Sequence, residues 1–234
     1  LELSGTNPVV IFKNSNLEIA AKRIVWGKFF NAGQSCMAPN HIFVDKEIVN
    51  ELIEKLKKYI NLFYGNNPIN SKNLSKLEKR QFSITLELLK KYKIDNRIIY
   101  GGLFSKKKMK ISPTILKFKF EENNSIKEEL FSSLLPIIEI DNQESVLKSI
   151  NQNSKPLAIY IFGGNKQIHN NIDKGNTTVV LCGAKNVGKS TLGRYVVNRF
   201  LSYYQKPLKG GNVNTTTTDT TMDSDSRGMT ALKS

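Results

Sequence analysis

An α/β domain with a mostly parallel sheet is the fold predicted over residues 1–165, and three observations predict it. Short apolar runs recur along the chain, at Pro8–Phe12, His41–Val44 and near 97–100, 113–118, 134–140 and 157–162. Stretches with helical apolar spacing separate several of them, and strands that alternate with helices build parallel sheets through crossover connections. The character changes at Gly163-Gly164, after which the chain is polar and loop-like.

The elements follow in order. Pro8-Val-Val-Ile-Phe12 reads as an extended segment. Ser15-Asn-Leu-Glu18 reads as a capping box, with Ser15 at the cap and Glu18 reaching back to its N–H. Apolar residues at Ile19, Ala20, Ile24, Trp26 and Phe30 then predict a helix over 17–30. Gly33 ends it. A polar loop, Gly33-Gln-Ser-Cys-Met-Ala-Pro39, carries Cys36 into the strand His41–Val44. Val49, Leu52, Ile53, Leu56 and Ile60 line one face of a helix over 46–63. A turn at Gly65-Asn-Asn-Pro68, a helix over 72–92 and a helix over 143–151 complete this part.

Thr177 to Cys182 is a new apolar strand. Gly183-Ala-Lys-Asn-Val-Gly-Lys-Ser190 follows, then an apolar-striped helix to about Tyr204. From Gln205 the chain is rich in Gly, Thr, Asp and Ser, too polar to bury a core, and is expected to be disordered. The predicted organisation is therefore a domain over 1–165, a linker over 166–176, a strand–loop–helix fragment over 177–204 and a low-complexity tail over 205–234.

Bulk composition narrows the function classes. Lysine and arginine number 35 against 20 acidic residues, a net charge of +15. That invites a phosphate-bearing partner. The lysines are dispersed, however, and aromatics do not interleave with them as a base-stacking surface requires. The charge is read as a composition effect, and nucleic acid is expected only if the second motif below is active. No stretch approaches the ~18–20 apolar residues of a membrane span. Two cysteines, Cys36 and Cys182, form no disulfide framework and fit a reducing, cytoplasmic setting.

Cys36 lies just after a helix, in a loop where a thiol can be accessible and ionised. Its surroundings carry a resemblance. Leu1-Glu-Leu-Ser-Gly-Thr-Asn-Pro8 and Trp26-Gly-Lys-Phe-Phe-Asn-Ala-Gly-Gln-Ser-Cys-Met-Ala-Pro39 resemble the general-base and nucleophile segments of aldehyde dehydrogenases, in the class 3 or fatty-aldehyde form. Ser112-Pro-Thr-Ile-Leu116, Glu128-Glu-Leu-Phe-Ser-Ser-Leu-Leu-Pro-Ile137 and Lys155-Pro-Leu-Ala-Ile-Tyr-Ile-Phe162 resemble three later blocks of that family, in its order. The resemblance implies the catalytic-domain fold of that family in a truncated form. It implies Cys36 as nucleophile toward a small-molecule aldehyde and Glu2 as general base. Glu129 would hold the ribose of NAD or NADP, Phe131 would pack near the nicotinamide end, and the Cys36 N–H would give half of an oxyanion hole. In the family's order the dinucleotide-binding region precedes the position of Leu1. An exposed sheet face is therefore expected, and with it homo-oligomer formation.

The second motif is Gly183-x-x-x-x-Gly188-Lys189-Ser190, a Walker A pattern between a strand and a helix. Its backbone N–H groups and helix N-terminus would cradle phosphates. Lys189 would meet the β/γ-phosphates, and Ser190, followed by Thr191, would hold Mg²⁺ beside ATP. The segment 177–199 resembles the phosphate-loop region of the nucleolar polynucleotide 5′-hydroxyl kinase family, which implies RNA processing and a nucleolar setting. Three readings result: an NAD(P)-dependent aldehyde dehydrogenase, an ATP-dependent polynucleotide kinase fragment, and a non-catalytic fusion or pseudogene product.

Overall fold

The computed structural model describes residues 5–120, 122, 128–141, 146, 149–150 and 156–164, together with the backbone of 178–182. All of them fall within one compact unit, Leu1–Ala184. The predicted 143–151 helix lies mostly outside the described residues. So do the phosphate-loop motif, its helix and the low-complexity tail.

Nine strands and three α-helices are described. The strands are β1 (Pro8–Ile11), β2 (His41–Asp45), β3 (Ile98–Tyr100), β4 (Phe104–Ser105), β5 (Lys110–Ile111), β6 (Thr114–Lys119), β7 (Leu134–Ile140), β8 (Ala158–Phe162) and β9 (Thr178–Cys182). The helices are α1 (Leu17–Phe29), α2 (Val49–Tyr64) and α3 (Lys79–Ile94). Seven strands form one sheet in the order β3-β6-β7-β2-β1-β8-β9, parallel at every pair except the edge pair β3–β6. The β4–β5 hairpin stands apart. β9, the strand that opens the 177–204 segment, continues this sheet beside β8.

Strands buried on both faces read as continuous apolar runs. β1 and β8 are buried at every position, and so is β2 up to Val44. The central sheet therefore presents no bare face among the described residues, contrary to the expectation of an exposed one. The large apolar side chains left in solvent are instead on helices and loops, Trp26 and Phe30 among them.

The helices show where local pattern and packing part. In α2 the predicted stripe of Val49, Leu52, Ile53, Leu56 and Ile60 is buried as expected, and Gly65 at φ 74° turns the chain out of the helix. In α1 the predicted face is rotated. Leu17, Ala20, Ala21, Ile24, Val25, Lys28 and Phe29 are buried, whereas Trp26 and Phe30 stack on each other outside, with centroids 5.7 Å apart. The capping box does not form. Asn16 is the N-cap, accepting from Ile19 N, while Ser15 Oγ donates to the Phe12 and Phe162 carbonyls and so ties the ends of β1 and β8. Glu18 turns instead to α2, meeting Lys58, Lys55 and the Tyr59 hydroxyl. Helix α3 begins later than its predicted start at 72. Leu74 and Leu77 are pulled into the core, Leu77 N bonds the Met109 carbonyl, and Glu78 caps the helix.

The Glu18 cluster crosses from α1 to α2, and the Lys58 and Lys55 ammonium groups with the Tyr59 hydroxyl hold its carboxyl down at about 2. A depressed carboxyl contributes stability above the ordinary carboxylate range and loses it as pH falls through the folded value. Glu18→Gln should therefore unfold earlier in urea than the parent at pH 7, with the difference fading as pH is lowered toward 2.

Candidate functional site

Four parallel strands start at the same edge of the sheet, and the candidate site is built where they start. Asn7 precedes β1, the Cys36 loop and Asn40 precede β2, Glu129–Ser133 precede β7, and Leu157 precedes β8. Open α/β sheets more often bind ligands at the carboxyl ends of their strands. This arrangement uses the other edge.

The Cys36 loop gets its shape from the end of α1. After Phe29 the chain makes a short 3₁₀ turn over Phe30–Gly33 in which Asn31, Ala32 and Gly33 all take left-handed φ values of 49°, 56° and 80°. Three consecutive residues there reverse the chain sharply. Asn31 and Gln34 stitch the turn, Asn31 Nδ2 donating to the Gln34 carbonyl and Gln34 Nε2 to the Asn31 carbonyl. The Gln34 side chain also reaches the Lys76 carbonyl and the Glu78 N–H, fastening the loop to the start of α3.

Asn7 holds the other side. Its carboxamide is fully buried. Nδ2 donates to the Cys36 carbonyl at 2.6 Å and the Ala38 carbonyl at 3.2 Å, and Oδ1 accepts from Ala158 N at 2.9 Å. The Tyr160 hydroxyl donates to the Met37 carbonyl. Cys36 itself is a free thiol, half-buried, in a backbone held on both flanks. Among the described residues no acceptor takes its N–H.

The Glu129–Phe131 segment meets this loop. A side-chain carbon on Gly33 would stand 2.1 Å from the Ser132 carbonyl oxygen and 3.1 Å from the Lys28 carbonyl, so the Cys36 loop and the Phe131–Ser132 backbone are in direct contact at a glycine. Asn40 grips the same segment, accepting from Leu130 N at 2.8 Å and donating to the Glu128 carbonyl at 3.2 Å. Gln81 adds a bond to the Leu130 carbonyl. Phe131 takes φ 41°, a conformation a bulky residue keeps only where its surroundings impose it.

Three titratable groups gather here. Partial burial pushes the Glu129 carboxyl up, while the Gly5 N–H and the Lys28 ammonium pull it back. Glu2 lies outside the described residues. Lys28 is 1% exposed, and burial drives its amine down to about 7 against the pull of Glu129. Burial, with the Lys28 charge adding, pushes His41 down to about 4, so it is neutral at physiological pH. His41 Nδ1 and Ser132 Oγ are buried without a hydrogen-bond partner among the described residues.

Of the residues selected from sequence, Cys36, Glu129 and Phe131 are thus brought into one neighbourhood. Gly183, Gly188, Lys189, Ser190 and Thr191 lie outside the described residues. Asn7, Asn40, Gln34 and Lys28 were missed. An asparagine just before an apolar strand and a lysine within an otherwise apolar helical stripe were the available signals.

Comparison with known proteins places this geometry. Residues 1–193 match the sequence model of the aldehyde dehydrogenase family. The chain is 36% identical over 169 residues to the dimeric NADP-preferring aldehyde dehydrogenase of Mus musculus, covering 72% of this chain and 36% of that protein. It is 33% identical over 202 residues to aldehyde dehydrogenase family 3 member A2 of Pongo abelii, covering 86% and 40%. The substrate-bound AldH of Staphylococcus aureus superposes with a TM-score of 0.72 at 27% identity, over 79% of this chain and 40% of that one. The chain spans less than half the length of these relatives.

The Gly33 contact yields a paired test. Gly65 also has positive φ, but nothing lies within 4 Å of a side-chain carbon placed there. Gly65→Ala should cost about 1–3 kcal/mol of unfolding free energy, the conformational term alone at φ 74°, ψ 176°. Gly33→Ala should cost several times more in the same denaturation experiment, because its methyl meets backbone that must move.

Proposed function

The chain belongs to the aldehyde dehydrogenase family, and from that premise we propose that it carries the catalytic cysteine of an oxidoreductase converting an aldehyde to a carboxylic acid with NAD(P)⁺. The observation that carries this reading is the seating of the Cys36 loop directly on the Glu129–Phe131 segment through Gly33 and Ser132. Nucleophile and cofactor contact are then parts of one rigid unit.

The Cys36 sulfur would attack the aldehyde carbon, forming a C–S bond and placing negative charge on the former carbonyl oxygen. The Cys36 N–H would donate to that oxygen, a contribution worth about 10²–10³ in rate in comparable sites. Asn7 fixes the Cys36 carbonyl and hence the peptide plane that precedes Met37. The nicotinamide, when bound, accepts the hydride that leaves this carbon. Glu2 would then take a proton from water, whose oxygen attacks the resulting thioester. The C–S bond breaks and the acid departs, returning Cys36 to its starting form. The Glu129 carboxylate offers two acceptor oxygens and fits the paired hydroxyls of a ribose, with the Gly5 N–H donating to it.

The name of the mouse relative calls that protein dimeric, and homo-oligomer formation is proposed for this chain, with a cytoplasmic setting consistent with two cysteines and no disulfide framework. No helix among the described residues is long and apolar enough to cross a membrane.

A kinase-type phosphate loop at Gly183–Ser190 is a separate reading supported by the motif spacing. The dehydrogenase family match extends to residue 193 and so takes in this motif, which favours the first reading.

Two measurements test these proposals. NAD(P)H formation from a medium-chain aldehyde, followed by absorbance, should fall to background in Cys36→Ala; equal rates in parent and variant would reject the assignment. If the phosphate loop is active, Mg²⁺-dependent ATP binding should be lost in Lys189→Ala; indistinguishable binding by the two proteins would reject it.

A further inference from the structure

The turn before Cys36 holds a conformation that L side chains avoid. Asn31, Ala32 and Gly33 sit at φ 49°, 56° and 80°, and of these only glycine takes a left-handed value without steric cost. Asparagine tolerates that region, but alanine keeps it only where its surroundings impose it. Packing of the buried Ala32 secures one side of the turn. The other side, at Asn31 and Gln34, is open to solvent and depends on hydrogen bonds.

The Gln34 carboxamide supplies three of them. Nε2 spends both of its hydrogens, donating to the Asn31 carbonyl at 3.0 Å and to the Lys76 carbonyl at 3.1 Å, and Oε1 accepts from Glu78 N at 2.8 Å. The first bond closes the turn on itself, beside the Gln34 N–H that reaches the same Asn31 carbonyl at 3.1 Å. The other two cross 42 and 44 positions of the chain. They end on a segment that is itself anchored. Leu74 and Leu77 are buried, Leu77 N donates to the Met109 carbonyl, and the Glu78 carboxylate caps α3 through Arg80 N and Gln81 N. Only Ser35 separates Gln34 from Cys36, whose carbonyl is held by Asn7.

We propose that Gln34 is a positioning residue for Cys36, its carboxamide fastening the left-handed turn to the start of α3 so that the thiol and the Cys36 N–H are presented in one orientation. Backbone groups of Lys76 and Glu78, on a segment that carries none of the residues assigned to the chemistry, thereby help to set how the cysteine is exposed. The consequence for turnover rests on the function proposed above; the consequence for the thiol does not. Without the carboxamide the strained turn keeps its buried side but loses its tie to α3, and the loop opens locally. The half-buried thiol then meets solvent more often and is aligned for attack less often.

Thiol reactivity can be read with neither cofactor nor aldehyde. The full chain is alkylated with iodoacetamide from about pH 6 to about pH 10, across the ordinary thiol range. Mass spectrometry follows the Cys36 peptide, with Cys182 as internal reference. Gln34→Met keeps the length of the side chain and removes its three bonds. The Cys36 rate is expected to rise about threefold or more through local opening, with the Cys182 rate unchanged. An unchanged Cys36 rate with native far-ultraviolet dichroism overturns the proposal, and so does an equal rise at both cysteines, which reports general loosening. A second pair of variants approaches from α3. Glu78 sits at φ −61°, which proline keeps. Glu78→Ala removes only the cap, whereas Glu78→Pro also removes the N–H that Gln34 accepts. A faster Cys36 rate in Glu78→Pro than in Glu78→Ala is expected; equal rates reject the tie to α3. In the NAD(P)H assay, Gln34→Met should lower kcat about tenfold or more with little change in the aldehyde KM, as misalignment predicts. A parent protein that forms no NAD(P)H rejects the dehydrogenase reading, and the alkylation rates then decide the role of Gln34 by themselves.

Discussion

One buried carboxamide organises this site. Asn7 stands just before β1 and offers donors to the Cys36 and Ala38 carbonyls and an acceptor to the Ala158 N–H, while its own carbonyl accepts from Asn40 N. Those partners precede or begin β2 and β8, the two strands that flank β1. The Ala38 carbonyl and the Ala158 N–H so satisfied would otherwise be buried unpaired, at about 1–3 kcal/mol apiece. The loop that carries Cys36 can therefore leave the regular sheet, keep its polar backbone satisfied and remain in one conformation.

A second constraint works through contact. The left-handed run Asn31-Ala32-Gly33 lets the chain come off α1 and lie against Ser132, and only glycine fits at the point of closest approach. Asn40 and Gln81 hold the facing segment, and Phe131 is kept in a strained backbone conformation beside it. The electrostatics follow from the same close packing. Lys28, Glu129 and His41 are displaced from their ordinary proton affinities by burial first, with the Gly5 N–H and neighbouring charges acting after it. Site geometry and site charge thus share a cause, the close docking of two loops at Gly33.

The strands at 8–12, 41–44 and 157–162 were legible because a strand buried on both faces reads as a nearly continuous apolar run, and those at 113–118 and 134–140 were legible as apolar runs broken only where Lys117 and Glu139 are partly buried. The α2 stripe was legible for the equivalent helical reason. The face of α1 was not, because Trp26 and Phe30 satisfy helical spacing as well as Val25 and Phe29 do. The choice between the two stripes depends on where the sheet lies. The capping residue was misplaced by one for a similar reason. Ser15 could cap locally, but the β1 and β8 carbonyls compete for its hydroxyl, and Glu18 is drawn to the α2 lysines. The β4–β5 hairpin, with strands of two residues each, has too short a pattern to register.

The sequence by itself determined the α/β class, the position of the central strands and the identity of Cys36, Glu129 and Phe131 as residues that belong together, through ordered motifs shared with a known family. Those are properties of residue type and spacing. Only the tertiary structure decided that Asn7 anchors the cysteine loop, that Gly33 must be glycine because of Ser132, and that Asn40 grips the segment that carries Glu129. Each of these joins positions tens of residues apart, and the burial that shifts Lys28 and Glu129 arises only when α1, β2 and the loop before β7 close on one another.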